Sequence, residues 1–543
     1  MMKSRYFTRI TLSALALGIM SASASLNAAT VPAGTELAAQ QELVRNNGSE
    51  PASLDPHKVE SDVEFGIIRD LFDGLVAVKK DGTVEPRLAQ SWENKDNTVW
   101  VFHLRPNVTW SDGTAITAKD FVWSWQRLVD PKTVSPYASY PGNMHIENAA
   151  DIALGKKAPE TLGVKALDDN TLEVRLTQPT AAFLAMLGHP AMVPVDKILI
   201  NRFGEKWTKP EHIVTSGAYK LSYWVVNERI VAVRNTRYWD NSATVVNKVT
   251  YLPISSETAD VNRYKADEID ITYTVPVNQF AQLKKTLGDQ VNVSPLLATY
   301  YNEFNTTKAP FNDPRVRRAL NMALDKDIIA DKVMGQGQRP AWLISQPEIG
   351  GVTLSAPDYA AWPQEKRIAE AKRLLNEAGF NEAHPLSFNL LYNTMETHQR
   401  IAIAVSSMWK KNLGVEAKLQ NQEWKTMLDA MHTGHFDLVR YAWNADYDDA
   451  ATFLNNFRTG DSENTSQYSN PAYDDALRNA AKASNLAERS KYYQQAEDLL
   501  GQDVPAIPVY HYVRVHLVKP WVGGFDPDRL GYYLTKDMYI KKH

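Results

Sequence analysis

The chain has 543 residues, of which 44% are hydrophobic and 22% are charged, and its formal net charge is −4. This composition is typical of a globular protein, and the length predicts about two to four domains. The near balance of 59 basic and 63 acidic residues argues against a strongly basic nucleic-acid-binding surface. Because the chain has no cysteine, disulfides, thiolate nucleophiles, Cys-ligated metal centres and thiol-linked lipids are excluded.

The N-terminus has the layout of a secretory signal peptide. A basic start is followed by an apolar stretch from Ile10 to Met20 and then by a run of small residues. The apolar stretch is shorter than the ~20 residues that a membrane span needs, which disfavours the alternative of an N-terminal anchor. We predict a signal peptide over residues 1–28, cleaved after Ala24 or Ala28. Without a cysteine to carry lipid, the mature protein is expected to float free in a periplasm.

Short alternating runs predict strands in the first half of the chain, at 99–104, 171–177, 230–233 and 248–252. The pairs Asp81-Gly82 and Asp112-Gly113 predict hairpin turns there. The second half predicts a helix over 363–378, a strand over 386–392, a helix over 398–413 that ends at Gly414, and a strand over 415–419. This strand–helix–strand order predicts an α/β domain with a partly parallel sheet.

Common catalytic motifs are absent from the sequence. It contains no phosphate-binding loop, no Gly-x-Ser-x-Gly elbow and no His-Glu-x-x-His. The acidic cluster of Asp446, Asp448 and Asp449 does not fit a calcium loop, because Ala451 and Phe457 stand where Gly and Glu are needed. A paired-carboxylate glycosidase stays open, since its two acids can lie far apart in sequence. We therefore expect an exported binding protein that captures a small molecule in a cleft between domains.

Seven short segments give a more specific indication. In chain order they are EPRLAQSW (85–92), WVFHLR (100–105), WSDG (110–113), TAKDF (117–121), TSGAY (215–219), NDPRVR (312–317) and AIPVY (506–510). This series resembles the signature of the peptide-binding family of ABC-importer periplasmic substrate-binding proteins. The resemblance runs from about residue 31 to the C-terminal MYIKKH. Within the family, the oligopeptide-binding and murein-tripeptide-binding members are the most similar.

The resemblance implies an α/β fold, a two-lobed clamp of three domains with mixed sheets flanked by helices. A discontinuous first domain would comprise residues 29–72, 197–297 and 514–543. A smaller inserted domain would span 73–196, and the opposing lobe 298–513. The implied function is capture of short peptides, oligopeptides or murein tripeptide, in the interdomain cleft and their delivery to the permease of an ABC importer. The implied protein is a monomer without catalysis, cofactor, metal or nucleic-acid partner. The alternatives are a haem or metal–chelate binder on the same fold and, less favoured, a secreted hydrolase.

The resemblance also implies the ligand-binding residues. Asp446 matches the carboxylate that pairs with the α-ammonium of the peptide, and a buried cation does need a charged partner. Arg440 matches an arginine that meets the C-terminal carboxylate of a three-residue ligand through a bidentate fork. Trp443, Asn444 and Ala445 match a stretch whose backbone runs beside the peptide as an added strand would.

Other matched positions are expected to line the cleft: Tyr137, Glu60 and His189 from one lobe, and Glu303, His398, Trp424 and His432 from the other. The sequence departs from the family pattern at two positions that are usually cationic, where Met334 and Met431 stand. Ala298 and Asn444 replace two cysteines that pair in some relatives. The loss of two cations leaves ligand length and side-chain preference open.

Overall fold

The computed structural model describes residues 31–543, and helices and strands are interspersed along the whole of this range. The signal peptide predicted over 1–28 lies outside these residues. Within the described range there are 18 strands and 16 α-helices, so the predicted α/β class is confirmed. None of the helices within residues 31–543 is both long enough and apolar enough to cross a membrane.

The strands are β1 (Glu42–Asn46), β2 (Val76–Val78), β3 (Val84–Pro86), β4 (Ala89–Lys95), β5 (Val99–Leu104), β6 (Val164–Asp168), β7 (Thr171–Arg175), β8 (Tyr219–Val225), β9 (Arg229–Arg234), β10 (Lys248–Leu252), β11 (Val291–Phe304), β12 (Arg339–Pro340), β13 (Ser387–Asn393), β14 (Glu416–Gln422), β15 (Leu438–Asn444), β16 (Ala506–Leu517), β17 (Val522–Gly523) and β18 (Tyr539–Ile540).

The α-helices are α1 (Asp62–Leu71), α2 (Ala118–Val129), α3 (Tyr140–Asn143), α4 (Ala149–Ala153), α5 (Phe183–Met186), α6 (Lys197–Phe203), α7 (Glu257–Lys265), α8 (Phe280–Leu287), α9 (Pro314–Met322), α10 (Lys326–Ile328), α11 (Gln364–Glu377), α12 (Glu396–Leu413), α13 (Trp424–His432), α14 (Ala451–Leu454), α15 (Pro471–Lys482) and α16 (Leu486–Asp503).

Three larger sheets organise these elements. One has the order β1-β10-β9-β8, a second is β4-β5-β7-β6, and the third is the six-stranded β12-β16-β11-β15-β13-β14. In the third, β13 runs parallel to β14 and to β15, whereas β11 is antiparallel to both of its neighbours. The partly parallel sheet predicted for the second half of the chain is therefore confirmed.

Predicted elements agree with the structure to within a few residues, and local chemistry sets their ends. Helix α11 begins after Pro363, whose fixed φ suits a helix entrance but not its interior. Helix α12 ends at Gly414, which adopts φ 72° in the left-handed region. The strand predicted over 171–177 ends earlier, at Arg175.

Several of the family-like segments fix the fold locally. In TAKDF, the carboxylate of Asp120 accepts the backbone N–H of Thr117 at 2.7 Å, which forms a capping box for α2. In NDPRVR, Asp313 accepts the backbone N–H of Arg315 at 2.9 Å, and Pro314 occupies the first turn of α9. These residues are therefore explained by helix starts rather than by ligand contact.

Strands β11 and β16 run side by side through two parts of the molecule. Their first paired stretch, Val291 to Pro295 against Val513 to Leu517, packs on a small cluster that includes Val261. Beyond a register shift between Pro295 and Thr299, both strands enter the six-stranded sheet. The two longest strands thus connect separate hydrophobic clusters.

We expect Gly217, in the TSGAY segment, to be intolerant of a side chain. A Cβ atom there would lie 2.7 Å from the carbonyl carbon of Leu71 and 2.8 Å from the carbonyl oxygen of Asp70, both rigid backbone. Gly217→Ala should lower the free energy of unfolding by ~1–3 kcal/mol, measured by urea denaturation. Gly66→Ala is the control, because its nearest neighbour lies at 3.6 Å and alanine favours the helix. Equal stability of both variants would contradict this explanation.

Candidate functional site

A cavity with about 1160 Å³ of empty space lies between two walls. The N-terminal wall consists of the loop before α1, helix α1 itself, and Tyr137. The sheet wall consists of side chains and backbone from β15 and β16 of the six-stranded sheet. The lining combines aromatic side chains with a few charged groups, as is typical of ligand sites.

Most of the residues predicted for the site line this cavity: Glu60, Tyr137, His398, Trp424, Arg440, Trp443, Asn444 and Asp446. The other four do not line it. His189 contacts Asp446, His432 contacts Glu60, and Glu303 is buried on β11. Ala445 is fully buried and donates its backbone N–H to Leu297 at 2.7 Å, so this amide is directed at the neighbouring strand.

Strand β15 offers an open edge to the cavity. The backbone N–H of Ala445 bonds to Leu297 and that of Asn305 bonds to Asp437, so the odd-numbered residues of β15 exchange hydrogen bonds with β11. Because these bonds alternate along an antiparallel pair, Ala442 and Asn444 direct their N–H and C=O groups the other way. On that side, within the described chain, β13 pairs with β15 only at Leu438 and Val439. The backbone of Ala442 and Asn444 is therefore available to an added strand.

Asp446 follows this strand and is only 8% exposed. The hydroxyl of Tyr137 donates to its Oδ1 at 3.0 Å, and His189 Nε2 lies 3.3 Å from the same oxygen. Burial lowers the pKa of His189, which keeps the imidazole neutral near pH 7. No lysine or arginine within residues 31–543 forms an ion pair with Asp446. A buried carboxylate with only neutral donors favours the binding of a cation.

Arg440 supplies the opposite charge further back on β15. Its Nη1 donates to Asn393 at 3.0 Å, its Nη2 donates to Tyr512 at 2.7 Å, and the guanidinium lies 4.7 Å from the centre of the Tyr300 ring. None of these partners is a carboxylate, and Nε has no hydrogen-bond partner within the described chain. Arg514, which also lines the cavity, instead pairs with Asp62 at 2.6 Å. Arg440 is thus the cavity arginine that is ready to meet an anion.

A family model for bacterial extracellular solute-binding proteins, family 5 Middle, matches residues 83–465. The chain belongs to this family. It is 53% identical over 536 residues to a periplasmic oligopeptide-binding protein of Salmonella typhimurium, covering 98% of this chain and 99% of that one. Identity to the periplasmic murein peptide-binding protein of Escherichia coli is 46% over 519 residues, with 95% and 96% covered. A probable deoxycholate-binding periplasmic protein of Escherichia coli is 44% identical over 522 residues, with 96% and 97% covered.

Solved structures agree with this membership and with the two-lobed fold. The Haemophilus influenzae oligopeptide-binding protein in complex with RPPGFSPFR matches with a TM-score of 0.92 at 43% identity, covering 93% of this chain and all of that one. The murein tripeptide-binding protein of Escherichia coli gives 0.91 at 46% identity, with 94% and 100% covered. The unliganded open form of that protein gives only 0.65, with 94% and 99% covered. The arrangement of this solute-binding protein is therefore closer to the peptide complex than to the open form.

Glu60 and His432 connect the two walls of this solute-binding protein. Their Oε2 and Nε2 atoms are 2.7 Å apart, and Tyr441 donates its hydroxyl to the other Glu60 oxygen at 3.1 Å. The charge of Glu60 is the main cause of the raised pKa of His432. Trp424 stacks on Tyr441, with ring centroids 6.2 Å apart and planes 7° apart. This corner of the cavity is thus both acidic and aromatic.

Two further titratable groups are buried on this side of the cavity, Glu303 on β11 and His398 on α12. Burial raises the pKa of Glu303 to about 7, although the hydroxyl of Thr465 donates to its carboxylate. Burial lowers the pKa of His398 well below its ordinary value, so this imidazole is neutral beside Arg440. Met334 lines the cavity and brings no charge to it, whereas Met431 is buried and does not line it.

Sequence reasoning missed several cavity residues. Tyr510, Tyr512 and Arg514 come from β16, and Glu257 and Thr397 come from the starts of two helices. The alternation of Tyr510, Tyr512 and Arg514 indicates that these side chains share one face of β16. It does not indicate whether that face of the strand lines the cavity. The pairing of β16 with β11, more than 200 positions earlier in the chain, decides that.

We expect Glu60→Gln to lower the pKa of His432, because it removes the charge that raises it. NMR titration of the His432 ring would measure the change. Since the folded pKa lies above the ordinary 6.5, the pair stabilises the structure fully below that value and loses its effect as pH rises through the folded pKa. Glu423→Gln, one residue before α13, is the control and should leave the His432 titration unchanged. An unchanged titration in Glu60→Gln would contradict the pairing.

Proposed function

We propose that this protein is the substrate-binding component of an ABC peptide importer. It captures short peptides between two lobes in the periplasm and delivers them to a permease in the inner membrane. The single observation that carries the proposal is Asp446, a carboxylate buried at the cavity with neutral donors only. The names of the relatives, which are periplasmic binding proteins for oligopeptides and murein peptide, support the same assignment.

The proposed domains are 29–72, 197–297 and 514–543 for the first, 73–196 for the inserted one and 298–513 for the opposing lobe. Sheet composition supports this division: β1, β8, β9 and β10 form one sheet, and β4 to β7 form another. The boundaries at 297/298 and 513/514 fall in β11 and β16, beside the register shift after Pro295. We propose that bending of these two strands opens and closes the cleft.

The peptide is proposed to bind as an added strand on the open edge at Ala442 and Asn444. Its α-ammonium would pair with Asp446 and its terminal carboxylate with Arg440. These two residues are at most ~20 Å apart along an extended strand. An extended tripeptide spans ~10 Å, and the two side chains, above all the long Arg440, reach across the remainder. Main-chain bonds and terminal charges then provide affinity for short peptides of varied sequence.

Binding without catalysis is part of the proposal. The charge of Asp446 also favours a peptide over the non-peptide alternatives. A bile salt or haem presents carboxylates and no ammonium group, so its anionic end would meet a buried acid of the same sign. A peptide, as a dipolar ion, neutralises Asp446 and Arg440 together.

Calorimetry with Ala-Ala-Ala and its N-acetylated form tests the Asp446 anchor. Acetylation removes the ammonium and leaves the buried carboxylate unpaired, which costs ~3–5 kcal/mol. We therefore expect the acetylated peptide to bind ~100-fold more weakly or worse. Asp446→Asn should erase most of that difference between the two peptides. Asp448→Asn is the matched control, because Asp448 pairs with Arg529 near the surface and does not line the cavity. Equal affinity of both peptides for the wild type would refute the anchor.

Closure of the lobes is proposed to use a pair of reciprocal contacts at two helix starts. The carboxylate of Glu396 accepts the Ser256 hydroxyl at 2.9 Å and the Thr258 backbone N–H at 3.0 Å, which caps α7 from the opposing lobe. In return, the Thr397 hydroxyl donates to Glu257 at 2.7 Å. Both contacts join segments of different proposed domains. They would form only when the lobes meet. We name the five residues the latch: Ser256, Glu257, Thr258, Glu396 and Thr397.

Glu396→Gln tests the latch. An amide replaces one acceptor oxygen with a donor, which loses about 1 kcal/mol of capping and hence about fivefold in peptide affinity. We expect faster peptide dissociation in stopped-flow fluorescence and a larger radius of gyration of the ligand-free protein in solution scattering. Glu365→Gln is the control, since Glu365 also lies in the first turn of a helix but is exposed. Unchanged dissociation and dimensions would show that the latch does not contribute to closure.

A further inference from the structure

A second, narrow cavity lies beside the cleft, and the roughly 470 Å³ of space around it includes open solvent. We name it the side chamber. It shares four wall residues with the cleft: Asp62, Tyr273, Arg514 and Tyr532. Burial raises the pKa of Tyr532 to about 12, and the charge of Asp446 contributes to the increase. The chamber therefore adjoins the cleft on the side where the peptide ammonium is proposed to bind.

Arg45 projects into the side chamber from β1 and is 6% exposed. Its Nε and Nη1 have no hydrogen-bond partner within the described chain. The guanidinium lies 4.2 Å from the centre of the Tyr533 ring and 5.5 Å from that of Tyr251. Aromatic faces attract the charge but accept no hydrogen bonds from N–H groups in the guanidinium plane. Buried donors without acceptors are rare and indicate a missing partner.

Arg69, a second arginine of the chamber, also has an N–H donor without an acceptor among residues 31–543. Arg69 lies 3.7 Å from the Tyr532 ring centre and donates Nη1 to Gly188 at 3.2 Å, but its Nε has no partner in the described range. His516 is neutral, because burial lowers its pKa to about 3. Its Nδ1 donates to the carbonyl of Thr272 at 2.7 Å, so its Nε2, unpartnered within the described chain, is an acceptor that needs a donor.

Among the residues that line the chamber, positive groups outnumber negative ones, although Asp70 and Asp528 act on Arg45 and Arg69 from outside the lining. The carboxylate that lines the chamber, Asp62, already pairs with Arg514 at 2.6 Å and accepts the Tyr273 hydroxyl at 3.2 Å. Asp70 lies behind Arg45 and accepts hydroxyl groups from Tyr251 and Thr535. Three guanidinium groups thus face the chamber against one lining carboxylate.

We propose, on the basis of the peptide-binding function proposed above, that the side chamber accepts an acidic side chain of the bound peptide. The carboxylate would receive hydrogen bonds from the N–H groups of Arg45 and Arg69 that are unpartnered in the described chain. The four shared wall residues place the chamber directly beside the cleft, which favours a peptide side chain over a free inorganic anion as the occupant.

Tripeptides with one acidic residue test the proposal on the unmodified protein. Aspartate and asparagine, and glutamate and glutamine, are placed in turn at each position of Ala-Ala-Ala, and affinities are measured by calorimetry. We expect the acid to bind at least about tenfold tighter than its amide at one position only. No acid preference at any position, or an equal preference at all three, overturns the side chamber. Binding of Ala-Ala-Ala itself reports separately on the proposed function.

Arginine variants then locate the preference. Arg69→Gln, at a half-buried position, and Arg45→Gln should each abolish the acid preference and leave Ala-Ala-Ala affinity unchanged. If Arg45→Gln fails to fold, Arg69→Gln decides alone. Arg229→Gln, at an exposed arginine on β9, is the matched control and should retain the preference. Retention of the preference in Arg69→Gln refutes the assignment. Phosphate that binds without peptide, in a protein that shows no acid preference, assigns the chamber to a free anion and also refutes it.

Discussion

The buried carboxylate of Asp446 is the constraint on which the cleft depends. Its neighbours are neutral: Tyr137 and His189 approach Oδ1 from the proposed inserted domain, and Thr452, from the same opposing lobe as Asp446, donates its hydroxyl to Oδ2 at 3.5 Å. Bringing the lobes together therefore removes an anion from water without supplying a cation. In the proposed binding mode, a ligand ammonium offsets that cost, so charge recognition and lobe closure would be a single coupled event.

Backbone recognition explains how such a site can accept many peptides. The open edge at Ala442 and Asn444 exists because β13 pairs with β15 only at its start. A peptide that completes this edge uses its own N–H and C=O groups, which every sequence shares. Side chains alternate to either side of the added strand and meet the acidic corner at Glu60 or the arginines near Asp62. In this mode, selectivity among peptides depends on the side-chain pockets, whereas affinity comes from the main chain and the two termini of the peptide.

The sequence predicts local structure well because local chemistry determines it. Helix ends are marked by Asp313-Pro314, the Thr117–Asp120 capping box, Pro363 and Gly414. The first two of these belong to the segments that identified the family. Site residues such as Asp446 could be named by resemblance. Tyr512, Glu257 and Arg45 could not, because sheet order and lobe contact bring them to the cavities from distant parts of the chain. The role of Arg45 also depends on which of its N–H groups lack partners, and no sequence pattern predicts that.

Charge also explains how one fold serves ligands of different classes. A relative that is 44% identical over nearly the whole chain is named for deoxycholate, so the shared architecture does not itself specify a peptide. In the proposed binding mode, a peptide is specified by the order of charges along β15 and the residues that follow it, with a cation at Arg440 and an anion at Asp446. A bile-salt anion would satisfy Arg440 but would leave Asp446 buried and unpaired. A peptide with free termini carries both charges and can pair with both residues. Replacement of either residue would therefore change which class of ligand binds without changing the fold.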